Sequence, residues 1–205
     1  MVNMEEINAV NKINEYRVNK INEYIVNKSL GIPYTKDNTS KEIPIVSNEY
    51  DDVRLNQDKN IIVKNLYFDI LNIIQNDSFE DGEISQSEQY MDECYNDVNA
   101  SYIKEALMNI YLDWFSDIHA EHILTGILTM LGVRTYEEMQ PHGQTMVLGL
   151  LQHRDIYLRD KAIQTFERWN SKKGIPVLEG LRCDQKWLQN YVDKVIMYLK
   201  RDGVD

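Results

Sequence analysis

Residues 155–199 have the sequence DIYLRDKAIQTFERWNSKKGIPVLEGLRCDQKWLQNYVDKVIMYL. This stretch contains two of the three aromatic-aliphatic pairs that recur in the C-terminal half: Tyr102-Ile103, Tyr157-Leu158 and Trp187-Leu188. Four residues after each aliphatic residue comes another apolar residue, and eleven after it comes Trp or Leu. Because a helix turns about 100° per residue, these offsets lie on one face. The spacing predicts three equivalent helices, each the first of an antiparallel pair.

The gaps between these pairs predict the remaining helices. Second helices are expected over residues 119–131 and 175–181, and Pro176 suits a first helical turn because its missing N–H would be unpaired there. The pairs lie 55 and then 30 residues apart, and the longer gap is close to two units of about 27 residues. It therefore predicts a degenerate unit made of two short helices, at residues 135–139 and 143–152.

Residues 155–199 resemble bacterial HEAT-like repeats, in which an aromatic-aliphatic start, a small residue one turn later, a terminal Trp and a Pro-led second helix recur. The resemblance covers roughly the last hundred residues well, residues 61–98 poorly, and the first sixty not at all. It implies an all-α stack of antiparallel helix pairs, an α-solenoid. Family members serve as adaptors and inhibitors, and some small acidic ones resemble immunity proteins of bacterial toxin systems. A branch of DNA glycosylases has a basic concave face, and this acidic chain departs from that pattern.

The preceding residues are less regular. An octapeptide occurs twice, as NKINEYRV at residues 11–18 and NKINEYIV at 19–26, with the apolar spacing of an amphipathic helix. Residues 31–60 are polar, are interrupted by Pro33 and Pro44, and indicate a linker. A helix is expected over residues 60–75, then a loop, then a short acidic helix capped by Ser87. These patterns divide the chain into an extension, residues 1–58, and a helical repeat domain, residues 59–205.

Composition limits the class of protein. The chain has 205 residues, 43% of them hydrophobic and 27% charged, which is typical of a folded domain and not of a disordered chain. The sequence shows neither a membrane-spanning run nor a signal peptide, and it has only two cysteines. We therefore expect a cytoplasmic protein. Many Asn, Ile, Lys and Tyr residues indicate an AT-rich, bacterial genome.

The charge predicts the kind of partner. A net charge of −11 argues against nucleic acid as ligand, since such binders neutralise phosphates with Lys and Arg. Between Asp77 and Glu121 there are twelve acidic residues and one base, Lys104, whereas residues 154–201 contain eleven bases and six acids. The acidic segment favours a basic protein as partner.

The sequence contains few residues that could form a catalytic or metal site. His119 and His122 would lie on one helix face, close to Asp113, Asp117 and Glu121, which leaves open a metal-dependent enzyme. They lack the HExxH pattern and a third fixed ligand, so helix-cap or surface histidines are the favoured interpretation. The sequence contains no nucleophile motif, Gly-rich phosphate loop or P-loop. We predict no catalytic residue, metal or cofactor.

The aromatic residues that begin and end the predicted helices could line a ligand groove. Their spacing with aliphatic residues favours packing between repeats instead.

The leading hypothesis is a protein-binding inhibitor of a basic partner, most specifically an immunity protein that neutralises a bacterial nuclease toxin. The expected contacts are the carboxylates of Glu83, Glu88, Asp92, Glu93, Asp97, Asp113 and Asp117. The alternative is a HEAT-like adaptor whose groove binds a peptide or helix, with the acidic segment merely solvated.

Overall fold

The computed structural model describes residues 49–80 and 82–205, and the regular structure of these residues is helical. An isolated bridge joins Ser171 and Val204. Within residues 49–80 and 82–205, nine α-helices and one 3₁₀ helix, η1, occur in this order: α1 Glu49–Asn76, α2 Gln86–Asp97, α3 Ala100–Trp114, α4 Glu121–Val133, α5 Tyr136–Met139, α6 His142–Leu151, α7 Ile156–Trp169, η1 Lys172–Gly174, α8 Ile175–Gly180 and α9 Lys186–Asp202. The described part is therefore all-α, as predicted.

Helices α1 and α3 lie side by side and run in the same direction. Lys59 Nζ of α1 is 2.7 Å from Glu105 Oε2 of α3. Two turns further along both helices, the Tyr67 hydroxyl donates to Asp113 Oδ2 at 2.9 Å. Equal offsets along both helices mean that their axes are parallel.

Helix α6 continues this first row beyond α3. The amine of Lys104, near the start of α3, donates to the carbonyl of Gln140, just before α6, at 3.1 Å. Near the other ends of the two helices, Gly149 lies against Tyr111, and a Cβ at Gly149 would lie 2.0 Å from the Tyr111 hydroxyl. Glycine therefore permits the close approach of α6 to α3.

A second row contains α2, α4, α7 and α9, each packed on the next. The Trp169 indole N–H donates to the Leu131 carbonyl at 2.9 Å, near the C-terminal ends of α7 and α4. Beyond the C-terminal ends of α7 and α9, the Val204 amide donates to the Asn170 carbonyl at 2.8 Å. These helices also run in a common direction.

Helix α4 occupies the centre of the core, with nine of its 13 residues buried. A helix that is apolar on nearly all sides has to be covered on all of them. Helices α1, α2, α3 and α7 supply that cover. At Gly126 an added Cβ would lie 2.4 Å from a methyl carbon of Ile74, so α1 can approach α4 only because this residue is glycine.

The predicted degenerate unit is present as two short helices, α5 and α6. The Pro-led helix is also present as α8, with proline in its first turn. Two helix starts differ from prediction. Helix α1 begins at Glu49, so residues 49–58, assigned to the extension and linker, are helical. They contain no Gly or Pro, which permits a helix without an apolar stripe. Ser85, and not Ser87, caps α2.

The predicted equivalence of α3, α7 and α9 is wrong. Helix α3 belongs to the first row, whereas α7 and α9 belong to the second. The offsets describe any helix with one apolar face, so they do not distinguish the first helix of a pair from the second. The octapeptide helix lies outside the described residues.

Candidate functional site

Asp77 fixes the loop that leads into the acidic helix α2. Its carboxylate accepts the backbone N–H groups of Ser78 at 2.8 Å, Gln86 at 3.1 Å and Ser87 at 2.7 Å. Burial tends to raise the pKa of Asp77, but these hydrogen bonds outweigh burial and the pKa is lowered. The charged form of Asp77 thus holds the first turn of α2 in place.

A capping box begins α2 and turns Glu88 inward. The Glu88 amide donates to Ser85 Oγ at 3.2 Å, and the Ser85 amide donates to Glu88 Oε2 at 2.9 Å. The other oxygen of Glu88 pairs with the guanidinium of Arg168 on α7. Only 9% of Glu88 is exposed, so this predicted contact is a structural residue.

Arg134 anchors the other half of α2. Its guanidinium lies 2.9 Å from Asp92 Oδ1 and 2.9 Å from Glu138 Oε1, and 4.1 Å from the centre of the Tyr95 ring. Burial lowers the pKa of Arg134, but its bonds to Glu138 and Asp92 outweigh burial and raise it. Burial and the charge of Glu138 raise the pKa of the Tyr95 phenol. The Asp92 side chain is exposed to solvent and is also ion-paired with Arg134.

The other predicted contacts are dispersed. Glu83 and Glu93 are exposed, and neither has an ion pair within the described residues. Asp113 is exposed and accepts from Tyr67, and Asp117 accepts the His119 amide at 2.9 Å. Asp97 ends α2. Residues 100–112 of α3, a rise of about 20 Å, separate Asp97 from Asp113, so the seven residues do not form one compact cluster.

The one base in the acidic segment is engaged elsewhere. Lys104 is half-buried, and its amine donates to the carbonyls of Glu138 and Gln140, each at 3.1 Å. The bases that neutralise the segment come from outside it: Lys59, Arg134 and Arg168 pair with Glu105, Asp92 and Glu88. The remaining exposed carboxylates make this surface negative.

The two histidines do not form a metal centre in the described residues. His122 Nε2 lies 2.7 Å from the Ile74 carbonyl, where it acts as a donor to the end of α1. His119 is exposed. No group of three or more His, Cys, Asp or Glu side chains in the described part of the chain is placed to hold a metal. The described residues therefore contain no group of ligands that would support the metal-dependent enzyme.

A groove that the sequence patterns do not indicate runs along α4 and α7, beside residues 79–80 and 82–85. It consists of a cleft of about 270 Å³ and one of about 480 Å³, both lined by Phe79. Large apolar side chains stand exposed along this α4–α7 groove: Ile84 by 75%, Ile118 by 68% and Tyr157 by 39%. Its position depends on how the α1–α2 loop folds over distant helices, which local spacing does not encode.

The prediction that the recurrent aromatic residues pack between helices is right for Tyr102, Trp114 and Trp169 and wrong for Tyr157 and Trp187. Trp169 is buried, and Tyr102 and Trp114 pack partly buried against the core. Tyr157 and Trp187 are exposed by 39% and 52%. Both stand in the first turn of a helix, where the aliphatic neighbour, Leu158 or Leu188, takes the buried place.

Comparisons with protein-family models, with curated proteins and with solved structures found no match. Within the described residues, no helix combines the length and the apolar character needed to cross a membrane. The candidate site therefore stands on its own geometry: a negative surface on the α1–α2 loop and α2, bordered by the α4–α7 groove.

Proposed function

We propose that this chain acts by binding a basic protein and blocking it, without catalysis of its own. The observation that carries the proposal is the negative surface, where Lys104, the one base of residues 77–121, is turned to backbone carbonyls. Like charges that repel each other at a surface are stabilised by a partner of opposite charge. In its most specific form, the proposal is a cytoplasmic bacterial immunity protein against a nuclease toxin.

A nuclease suits this surface for a physical reason. Its active cleft has to hold phosphates and is positive, so a negative protein surface can occupy the cleft in place of nucleic acid. Complementary charge also accelerates association, which favours an inhibitor that must act before the toxin does. The rate gain depends on exposed charges and decreases as salt is added.

The proposal uses fewer contacts than the seven carboxylates that the sequence predicts. Glu83 and Glu93 lead because they are exposed and have no ion pair in the described residues. Asp92 joins them through its exposed face, and Asp97 by its position at the end of α2. Glu88 supports them from inside. Asp113, in the last turn of α3, and Asp117, just after α3, lie at the other end of that helix from Asp97.

We further propose that the two rows of parallel helices belong to a HEAT-like stack. Three features support this architecture: helices within each row run the same way, hairpins connect the rows, and the row order is α1, α3, α6 beside α2, α4, α7, α9. In such a stack each pair contacts mainly its neighbours, and the faces of the rows are available for partners.

The test begins with the full-length chain carrying an affinity tag in its native host, followed by mass spectrometry of the bound protein. Binding of that purified partner is then measured at about 0.05 M and about 0.3 M NaCl. We expect the Glu83→Lys/Glu93→Lys variant to lower the association rate at low salt at least about tenfold. If the partner is a nuclease, the wild-type chain should also inhibit its cleavage of DNA.

A matched control makes the same change of charge at a different part of the surface. Asp184→Lys/Asp193→Lys adds the same charge at exposed positions just before and on α9, and it should leave the rate within about twofold. Equal effects of the two double variants, or a partner of acidic character, would contradict the proposal.

The adaptor is the second candidate, and the α4–α7 groove favours it. Exposed Ile118 and Tyr157 beside a cleft of about 480 Å³ suit a bound peptide or helix. An adaptor of this kind would bind its partner with little dependence on salt and without inhibition. The same salt series therefore distinguishes the two candidates.

A further inference from the structure

The α4–α7 groove has the dimensions of a helix-binding site. Along α7 it extends from Tyr157 to Arg168, a rise of about 16 Å over eleven residues. That is three helical turns, the length over which helices bound in grooves present anchors at i, i+3 or i+4, and i+7. Phe79 lines both clefts, so the two clefts adjoin at its side chain.

The exposed apolar residues are placed to meet such anchors. Ile84 lines the smaller cleft, and Ile118 and Tyr157 line the larger one. Exposed apolar groups gathered around a concavity mark interaction sites more often than scattered ones do. The occupant should therefore carry an apolar stripe.

Charge determines the opposite face of the occupant. Glu80, Glu83 and Glu121 line the groove and are exposed. Two cations line the groove within the described residues: Arg168 pairs with Glu88, and Lys161, whose amine lies 3.1 Å from the neutral Gln164 Oε1, contributes one positive charge against the three carboxylates. The uncompensated charge is negative, so a basic occupant is complementary and an acidic one is repelled.

A buried hydroxyl supports the same conclusion. Thr125 lines the larger cleft and is 3% exposed, yet its Oγ1 has no hydrogen-bond partner in the described part of the chain. An unpaired buried hydroxyl costs stability. A donor such as Lys or Arg, reaching it through a small opening of the cleft, would remove that cost.

We infer that the α4–α7 groove receives a basic amphipathic helix of about three turns from the partner, with its apolar stripe on Ile84, Ile118 and Tyr157. The inference rests on the proposed function, because it specifies where and how the basic partner is held. It adds an apolar contact to a surface that was otherwise defined by charge.

The test uses the full-length, ¹⁵N-labelled chain and three synthetic three-turn peptides: a Leu/Lys peptide with leucine on one face, a scrambled peptide of identical composition, and a Leu/Glu peptide with the same leucine positions. NMR shift changes locate binding, and fluorescence anisotropy of labelled peptides measures affinity. We expect the amphipathic Leu/Lys peptide to perturb Phe79, Thr125 and Tyr157 and to bind at least about tenfold more tightly than the other two.

Two variant pairs separate the groove from general surface stickiness. Ile84→Ser/Ile118→Ser removes two groove anchors, and Leu112→Ser/Met197→Ser removes two residues of similar exposure, 65% and 64%, outside it. Circular dichroism checks that all variants remain helical. The first pair should weaken binding of the Leu/Lys peptide at least about tenfold, and the second should leave it within about twofold.

Several outcomes would overturn the inference. They are shift changes confined to other surfaces, absence of binding, equal weakening by both variant pairs, and preference for the Leu/Glu peptide. If the scrambled peptide binds as tightly as the amphipathic one, and Glu93→Lys weakens both, the helix-binding groove is wrong while the basic-partner proposal stands. The proposed function has a separate test. It is wrong if the Glu83→Lys/Glu93→Lys and Asp184→Lys/Asp193→Lys variants associate equally fast with the native partner.

Discussion

Helices α2 and α9 lie at opposite ends of the second row and are held there by different forces. Helix α9 buries an apolar stripe of Leu188, Val192, Val195 and Leu199 and turns its charges outward. Helix α2 buries Met91 and Cys94 but also uses Glu88 and Asp92 to pair with arginines of α7 and the α4 end. Some acidic residues of α2 therefore hold the helix in place. A count of charges along the sequence overstates the negative charge that is available to a partner.

The largest effect should come from the apolar anchor of α9. Leu188→Ala removes a fully buried side chain and should lower the free energy of unfolding by about 2–5 kcal/mol. Trp187→Ala, one residue earlier but 52% exposed, should cost much less. Urea denaturation of both variants measures the difference. A larger loss at Trp187 would show that the outer face of α9 is covered.

The next effect tests the charged anchor of α2. Glu88→Ala removes the side-chain half of the capping box and the partner of Arg168, and should cost about 2 kcal/mol. Glu93→Ala changes an exposed carboxylate on the same helix and should stay within about 0.5 kcal/mol. Denaturant midpoints of the two variants decide the matter. Equal losses would remove the distinction between structural and partner-facing acids.

A smaller effect tests the loop that precedes α2. Asp77→Asn should cost about 1 kcal/mol at neutral pH, because the carboxylate accepts three backbone N–H groups. The folded pKa of Asp77 is lowered, so its contribution is present above the unfolded value of about 3.9 and is lost as the pH falls through the folded value. Wild type and variant should converge in acid when stability is measured across that range. A constant difference at all pH values would contradict the ionic role.

The smallest effect is expected for an exposed ion pair at the α9 end. Lys200 Nζ lies 2.6 Å from Glu179 Oε1, with both side chains about half exposed. Lys200→Ala should change the free energy of unfolding by less than about 0.5 kcal/mol. Thermal unfolding at low and high salt gives the measurement. A larger, salt-sensitive loss would place α9 among the charge-anchored helices after all.

Local patterns predicted much of the fold. Apolar spacing located most of α1 and the helix α4, and the 55-residue gap between two aromatic-aliphatic pairs located α5 and α6. Proline in its first turn marked α8. These features depend on residues within a turn or two of each other, which is the distance over which periodicity carries information. The row assignment of α7 needed the connections between helices, and the offsets alone did not supply it.

The candidate site was less predictable for the same physical reason. Glu88 and Glu93 are both acidic residues of α2, yet one is buried and the other exposed. The partner of Glu88 lies 80 residues away and that of Asp92 lies 42 residues away. No local rule distinguishes a carboxylate that will meet a distant arginine from one that will face solvent. The α4–α7 groove forms where a loop passes over two helices, so local sequence patterns do not predict it either.

The common direction of α4, α7 and α9 gives the second row an electrical polarity. Peptide dipoles add along each helix, so the C-terminal ends of the three helices bring partial negative charges to the same end of the row. The cations Arg134, Arg168, Lys172, Lys173, Lys200 and Arg201 occupy the last turns of these helices or the residues directly after them. Five of the eleven bases in residues 154–201 are thus placed as counter-charges for helix macrodipoles.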